Sequence, residues 1–449
     1  MKDRMKKITV SGDTGKSRRD FCKSSALLAG GFMMTQLPVQ ASAFVEGSDK
    51  LKLALIGCGG RGTGAANQAL NADENVQLVA MADAFRDRLD GSLSNLESKF
   101  GKSKKIKVKE SGKFVGFDGY KQAIDMADVV ILTTPPGFRP IHFEYAINAG
   151  KHVFMEKPVA TDAPGIRRVL EAAKLAKEKK LNVVVGLQRH YQTSYREIAK
   201  KIKEGAIGEI VSGQVYWNSD GVWVRERQPG QTEMEYQMRN WYYFNWLCGD
   251  HINEQHIHNI DVANWFIGDY PVSAQGMGGR QVRNGKDHGE IFDHHFVEFT
   301  YPSGAVIASQ CRHQPGTMSR VQEVFQGTKG SVKTDSGNRG TIKDYSGGTI
   351  YNHRGRNDPN PYQVEHDELF ASIRSGGVIS NAEYGAKSTM TAILGRMATY
   401  SGQVITWDEA INSKLSIMPE TYAWDANPPV MPDENGHYAI PVPGKTKVI

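Results

Sequence analysis

The run CGDHINEQHIHNIDVANWFIG, residues 248–268, carries His251, Glu254, Gln255, His258 and Asp261. Wound as one helix, spacings of three and four place the first four on a single face, with Asp261 one turn further on. A polar stripe of this kind, facing a crevice, suits proton transfer, because imidazole and carboxylate can exchange protons near neutral pH. The same spacing also suits a metal, since His251, Glu254 and His258 could offer imidazole and carboxylate ligands to zinc. Lys157, in the tripeptide EKP at 156–158, is the other chemically capable group. An ammonium beside a reacting carbon can hold an oxygen and favour its deprotonated form.

Trp217, Trp223, Trp241 and Trp246 lie close together in the chain, and Arg239, Asn240, Tyr242, Tyr243 and Asn245 are interleaved with the last two. Aromatic faces beside amide and guanidinium donors match a sugar ring, which has apolar C–H faces and hydroxyl edges. A core or subunit contact is the other reading of the same cluster.

These residues need a scaffold. LKLALI (51–56) reads as a strand, Gly57, Gly59, Gly60 and Gly62 as a tight turn, and the pattern up to about Leu70 as a helix. A pyrophosphate needs close backbone approach and free helix N–H groups, which such a turn supplies. The next apolar run, VQLVAMAD, ends in Asp83, spaced to accept hydrogen bonds from a ribose diol. That acid favours NAD over NADP, although Arg61 and Arg86 stand near enough to blur the choice. Strands at 127–136, 151–158 and 181–188 alternate with helices at 139–150 and 161–179. The alternation implies a parallel sheet whose strand ends, at Thr134, Pro135, Pro136, Glu156, Lys157, Pro158 and Gln188, share a crevice with the glycine turn. From Gly208 the pattern becomes period-two, with a hairpin around 302–304 and strands through 320–335, which predicts a mainly antiparallel sheet open on one face. Two late helices, near 363–375 and 382–400, are expected to return to the first domain.

The turn GCGGRG, the segment TTPPGFRPIH, EKP at 156–158 and VGLQRHY together resemble the family of glucose–fructose oxidoreductase, inositol dehydrogenase and MocA, over roughly residues 50–410. The resemblance implies an α/β fold, with an N-terminal Rossmann domain at 44–190 and a C-terminal α+β domain at 191–412. It implies a large open sheet that commonly forms a homo-oligomer. It makes NAD, or NADP, the cofactor, held by Gly57, Gly59, Gly60, Arg61, Gly62, Asp83, Thr134, Pro135, His142, Glu156, Lys157 and Gln188. The family carries Asp-x-x-x-His on its catalytic helix, which falls here on Glu254 and His258, with the histidine as general base. Glu for Asp keeps the charge and lengthens the reach, and Gln255 and His256 replace small residues. The expected substrate contacts are Arg189, Trp241, Tyr242, Asn245, His251, Gln255 and Asp261. Hydride transfer to a nicotinamide requires no metal.

Residues 17–34 place Arg18 and Arg19 before a short uncharged run, and Ala41-Ser42-Ala43 follows. This order resembles a twin-arginine signal peptide cleaved after Ala43, and hence a periplasmic protein. The run is much shorter than the roughly 20 residues that span a bilayer, and no lipid anchor is expected. The leader holds 8 of the basic and 3 of the acidic residues, so it carries +5 of the net +6. No basic stripe remains to argue for nucleic acid or membrane. Of four cysteines, Cys58, Cys248 and Cys311 lie beyond the leader, scattered rather than arranged as a disulfide framework. The last segment, 413–449, is proline-rich and reads as an extended arm on its own or a neighbouring subunit. The sequence therefore predicts an exported NAD(P)-dependent oxidoreductase acting on a secondary hydroxyl of a sugar, glycoside or polyol, with a tightly bound, recycled cofactor. The alternatives are a glycosidase or lyase working through a transient keto-sugar, a non-catalytic sugar-binding protein, and a metal-dependent hydrolase.

Overall fold

Six strands open the structure, all but the edge strand largely buried, in a computed structural model that describes residues 49–449; the expected leader lies outside the described residues. They are β1 (Leu51–Ile56), β2 (Val76–Asp83), β3 (Lys113–Val115), β4 (Val129–Leu132), β5 (His152–Met155) and β6 (Val183–Val185). All pair in parallel in the order β3-β2-β1-β4-β5-β6. The crossovers are α1 (Gly60–Ala72), α2 (Arg86–Phe100), α3 (Gly119–Asp125), α4 (Arg139–Asn148) and α5 (Ala163–Glu178). Helices on both sides explain why the strands read as unbroken apolar runs. Leu53 and Leu55 pack with Leu89, Leu93 and Leu96 of α2. Ala54 and Ile56 face the opposite way, with Phe143, Ile147, Ile166 and Val169 of α4 and α5. Strand order reverses between β1 and β4, which opens a crevice at the strand C-termini.

The chain continues through α6 (Thr193–Lys203), β7 (Ile210–Ser219), α7 (Glu233–Arg239), α8 (Asn245–Cys248), α9 (His251–Glu254) and α10 (Ile257–Ile267). There follow β8 (Ser273–Gly279), β9 (His294–Thr300), β10 (Val306–His313), β11 (Arg320–Gly327), β12 (Gly330–Asp335), β13 (Arg339–Asp344) and β14 (Thr349–His353). Helices α11 (Pro361–Ser375) and α12 (Ala382–Ser401), strand β15 (Ile405–Thr406) and helix α13 (Trp407–Asn412) complete the elements. The second sheet runs β14-β13-β12-β11-β7-β10-β9-β8-β15, antiparallel except where β7 meets β10. Along β9 burial alternates, with His295, Val297 and Phe299 inward, as a sheet covered on one face requires. The other face leaves Met277 and Val306 exposed. As expected, the late helices return: α11 packs on α1, and α12 on α5 and β8.

The expected continuous helix over 248–268 does not form. Gly249 (φ 75°) closes α8 in the left-handed region, and Asp250 is also at positive φ, 70°. The Asp250 carboxylate then takes over local hydrogen bonding, accepting from the His251 and Phe292 N–H groups and the Tyr400 hydroxyl. A second break separates α9 from α10, at Gln255 and His256. The C-terminal arm has no helix or strand after α13 and lies on its own chain. Ile417 N–H donates to Asp162, Gln237 donates to the Val430 carbonyl, and Trp424 packs on Phe85 and Phe117.

Candidate functional site

A cleft of about 610 Å³ runs from the glycine turn to Trp223 and Trp241, within the ~300–1,000 Å³ range of small-molecule sites. Its cofactor wall is built from strand ends. A Cβ on Gly57 (φ 94°) would stand 2.5 Å from the Thr134 nitrogen, and one on Gly62 2.0 Å from the Gly57 carbonyl. These two glycines let the turn close. Gly59 and Gly60 are different, because no atom of the described residues lies within 4 Å of a Cβ on either. They keep open the space before the N-terminus of α1, where a pyrophosphate fits. At the end of β2, the Asp83 oxygens accept from the N–H groups of Cys58 (2.7 Å) and Phe85 (2.9 Å). Burial raises the Asp83 carboxyl, and the two N–H groups oppose it. Each oxygen has further acceptor capacity for a ribose diol.

The ends of β4 and β5 are tied by Arg139, which sequence reasoning missed although it stands in the quoted segment TTPPGFRPIH. It is buried, and donates to the carbonyls of Thr134 (2.6 Å) and Glu156 (3.0 Å). His142, 3.2 Å from the Thr134 hydroxyl, is driven by burial and by Arg139 to about 3, so it is neutral. Arg61 reaches Glu156 at 2.5 Å and Glu365 of α11 at 3.4 Å, and lies over the ring of Tyr362. Thus α11 closes one side of the cofactor wall and adds Tyr362, another residue that strand-end reasoning had no means of finding.

Beside Glu156 at the end of β5 stands Lys157, with Glu254 and His258 also on the cleft. Lys157 Nζ donates to the Glu254 carbonyl (2.7 Å) and carboxylate (3.1 Å). Burial raises the Glu254 carboxyl, and Lys157 pulls it back. His258 stacks on Trp217, with ring centroids 5.9 Å apart. Burial first, then Lys157, pushes it well below the usual histidine range, so the ring is neutral, and among the described residues its buried Nδ1 has no partner. Glu254 therefore meets Lys157 directly. Trp241 and Gln255 also line the cleft, joined by Trp223 and Arg225.

Six expected site residues are elsewhere. After β6 the chain enters a short 3-10 turn at Gln188–Tyr191. Gly186, rather than Gln188, faces the cleft, and Arg189 is drawn beneath to pair with Glu323. Asn245 bonds Tyr400 and the Glu290 carboxylate behind the wall. Tyr242 is buried below, beside the Glu254 carboxyl. His251 turns inward because Asp250 captures its Nδ1 at 2.8 Å. Asp261 bonds His190 and Ser388. The zinc set His251, Glu254 and His258 is thus not assembled. A different trio, Asp250, His251 and His295, places its ligand atoms within 4.8 Å of one another, but its carboxylate is already engaged by Tyr400 and the Phe292 N–H.

Residues 51–187 match the model of an oxidoreductase family with an NAD-binding Rossmann fold, and residues 195–333 match a GFO/IDH/MocA C-terminal domain. The chain is 25% identical to inositol 2-dehydrogenase of Rhizobium meliloti, over 60% of this chain and 71% of that one. It is 28% identical to 2,7-anhydro-N-acetylneuraminate hydratase of Escherichia coli, over 47% of this chain and 52% of that one. Among solved structures it shares the fold of aldose-aldose oxidoreductase from Caulobacter crescentus (TM-score 0.62, 19% identity, 80% of this chain and 99% of that one). It likewise shares the fold of levoglucosan dehydrogenase in complex with NADH and levoglucosan (0.62, 17%, 80% and 99%).

Proposed function

We propose, for a chain that belongs to the GFO/IDH/MocA family of NAD-binding oxidoreductases, that it removes hydride from a secondary hydroxyl of a sugar, glycoside or polyol. The observation that carries this reading is the placement of Lys157, Glu254 and a neutral His258 on the same cleft as the glycine turn. When bound, the nicotinamide of NAD supplies a hydride acceptor. The residues of this chain supply the rest. An ammonium has three N–H donors; Glu254 takes two, which fixes Lys157 and leaves the third for the substrate oxygen. His258, held neutral, can accept the hydroxyl proton. The Glu254 carboxylate keeps positive charge at Lys157 where the alkoxide develops. Trp217, Trp223 and Trp241 offer rings to the C–H faces of a sugar. Inositol 2-dehydrogenase and levoglucosan dehydrogenase, among the relatives, act on polyol and anhydrosugar by name.

Export to the periplasm, retention of the cofactor and assembly through the open sheet belong to the same proposal. The paired arginines before a short apolar run motivate export. Outside the cytoplasm no NAD pool exists to exchange with, so a retained cofactor would be reduced by one substrate and reoxidised by a second carbonyl compound. Arg61 bridging to α11 and Trp424 packed on Phe85 and Phe117 support slow release. A second reading, oxidation followed by elimination and reduction, has support from the hydratase relative. The deciding experiment is product analysis with the purified protein. A ketone, with NADH or a reduced second carbonyl compound formed in equal amount, supports the dehydrogenase, a rearranged or hydrolysed sugar with neither supports the second reading, and no change in any sugar or polyol discards both.

A further inference from the structure

Between Glu254 and His258, in the gap separating α9 from α10, stands Gln255, whose side chain lines the cleft. Its amide is not free to turn. The Gln255 Oε1 lies 2.7 Å from Nε2 of His313 on β10, and the His313 Nδ1 lies 2.5 Å from Nη2 of Arg283. A guanidinium only donates, so Nδ1 is the acceptor and the ring proton sits on Nε2. Arg283 is itself fixed: it is buried, donates Nη1 to the Phe292 carbonyl (2.8 Å) and lies over the Tyr243 ring. Burial also keeps the His313 ring neutral, far below the usual histidine range, so it has one proton to give. The amide oxygen of Gln255 must take it. Among the described residues Gln255 Nε2 has no protein acceptor, and the cleft is what it faces.

We infer that Gln255 is a donor-only specificity residue. Its amide N–H binds a substrate oxygen next to the reacting carbinol, with His313 and Arg283 as positioning residues that fix its orientation. The site then selects molecules carrying a hydroxyl, ether or carbonyl oxygen at that neighbouring position, and rejects analogues that present a methylene there. A site with a buried polar group left unpaired discriminates more strongly than an apolar pocket does. This inference rests on the dehydrogenase reading for its substrate, but the orientation of the amide does not.

The test has two arms. In the first, nitrogen NMR of the ligand-free protein, assigned by comparison with His313→Gln, reads the His313 tautomer. A neutral ring protonated at Nε2 is expected; a proton on Nδ1 reverses the amide and overturns the proposal. In the second, myo-inositol, glucose and cellobiose are offered together with their monodeoxy analogues. With the best of them, Gln255→Leu should lower kcat/KM about 10–100-fold, with the loss falling on KM more than on kcat. It should also abolish discrimination against one deoxy analogue only. His313→Phe should reproduce the KM rise, and His313→Gln, which can still donate to Gln255, should keep KM near the wild-type value. An unchanged KM in Gln255→Leu that still binds NAD overturns the inference. If the wild type turns over none of the panel, the same comparison is made with the substrate found by product analysis and its monodeoxy analogues, and the tautomer still decides how Gln255 is held.

Discussion

The two walls of the cleft are built by different means. The cofactor wall consists of the ends of β1, β2, β4 and β5 in one parallel sheet, so Gly57, Asp83, Thr134 and Glu156 converge because the topology leaves them nowhere else to go. The substrate wall combines Trp217 of β7, from the second sheet, with short helical turns and the segment from Trp223 to Trp241, so no single sheet register sets it. One wall is set by a sheet, the other by individual hydrogen bonds such as Lys157–Glu254 and Gln255–His313. Substitutions in the first should therefore act on cofactor binding alone. Those in the second should act on turnover and substrate choice.

The largest separation should come from Gly59→Val. A Cβ there has no described protein atom within 4 Å, so the melting temperature should stay near wild type while calorimetry finds no NAD binding; retained affinity would break the assignment of the cofactor wall. Lys157→Ala and His258→Ala should each lower kcat by about 10²–10⁴-fold with little change in NAD affinity. The double variant should lose much less than the product, because both act on one transition state. Near-normal turnover in His258→Ala would remove it as the base. Asp83→Ala should weaken NAD by about 10–100-fold and relax the preference toward NADP, as loss of hydrogen bonds to a charged acceptor implies; an unchanged NAD/NADP ratio would contradict the ribose assignment. Trp424→Ala, which unpacks the arm from Phe85 and Phe117, should speed NADH release severalfold in stopped-flow displacement without altering kcat/KM for the sugar.

The effect least tied to turnover concerns pH. His142 titrates at about 3 in the folded protein and at about 6.5 when unfolded. The unfolded chain takes up the proton first, so stability falls as pH drops below about 6.5, by about 1.4 kcal/mol per pH unit from this group. Urea unfolding of His142→Gln at pH 7 and pH 5 should lose about 2 kcal/mol less than wild type between the two conditions. Equal losses would place His142 outside the neutral, buried environment described.

The same contrast decides what could be read from the sequence. Strand ends are legible because an apolar run followed by glycine or proline marks where a side chain must face the crevice, and Lys157, Thr134 and Asp83 followed this rule. Gln188 and Arg189 did not, because β6 ends at Val185 and a 3-10 turn carries the next residues under the wall. Helical spacing correctly grouped Glu254, Gln255 and His258, yet it failed for His251, since it assumes a continuous helix. Gly249 and Asp250 break that helix, and Asp250 claims the His251 ring for the core. Asp261 lay one turn too far along α10 and found His190 and Ser388. Arg139, Tyr362 and the His313–Arg283 pair were out of reach of any local pattern, because what gives each its role is a partner distant in the sequence or carried in from another element.

The central claim is that Lys157, Glu254 and His258 face a dinucleotide and move hydride from a sugar-type hydroxyl onto it. The most direct measurement loads the protein with one equivalent of NAD, adds the substrate identified by product analysis, and records the nicotinamide absorbance in a single turnover. The account predicts that the reduced band appears rapidly in wild type and is at least about 100-fold slower in Lys157→Ala with NAD still bound. Equal rates in the two proteins, or no reduced band in a wild type that nonetheless converts the substrate and at no time reduces its cofactor, would contradict it.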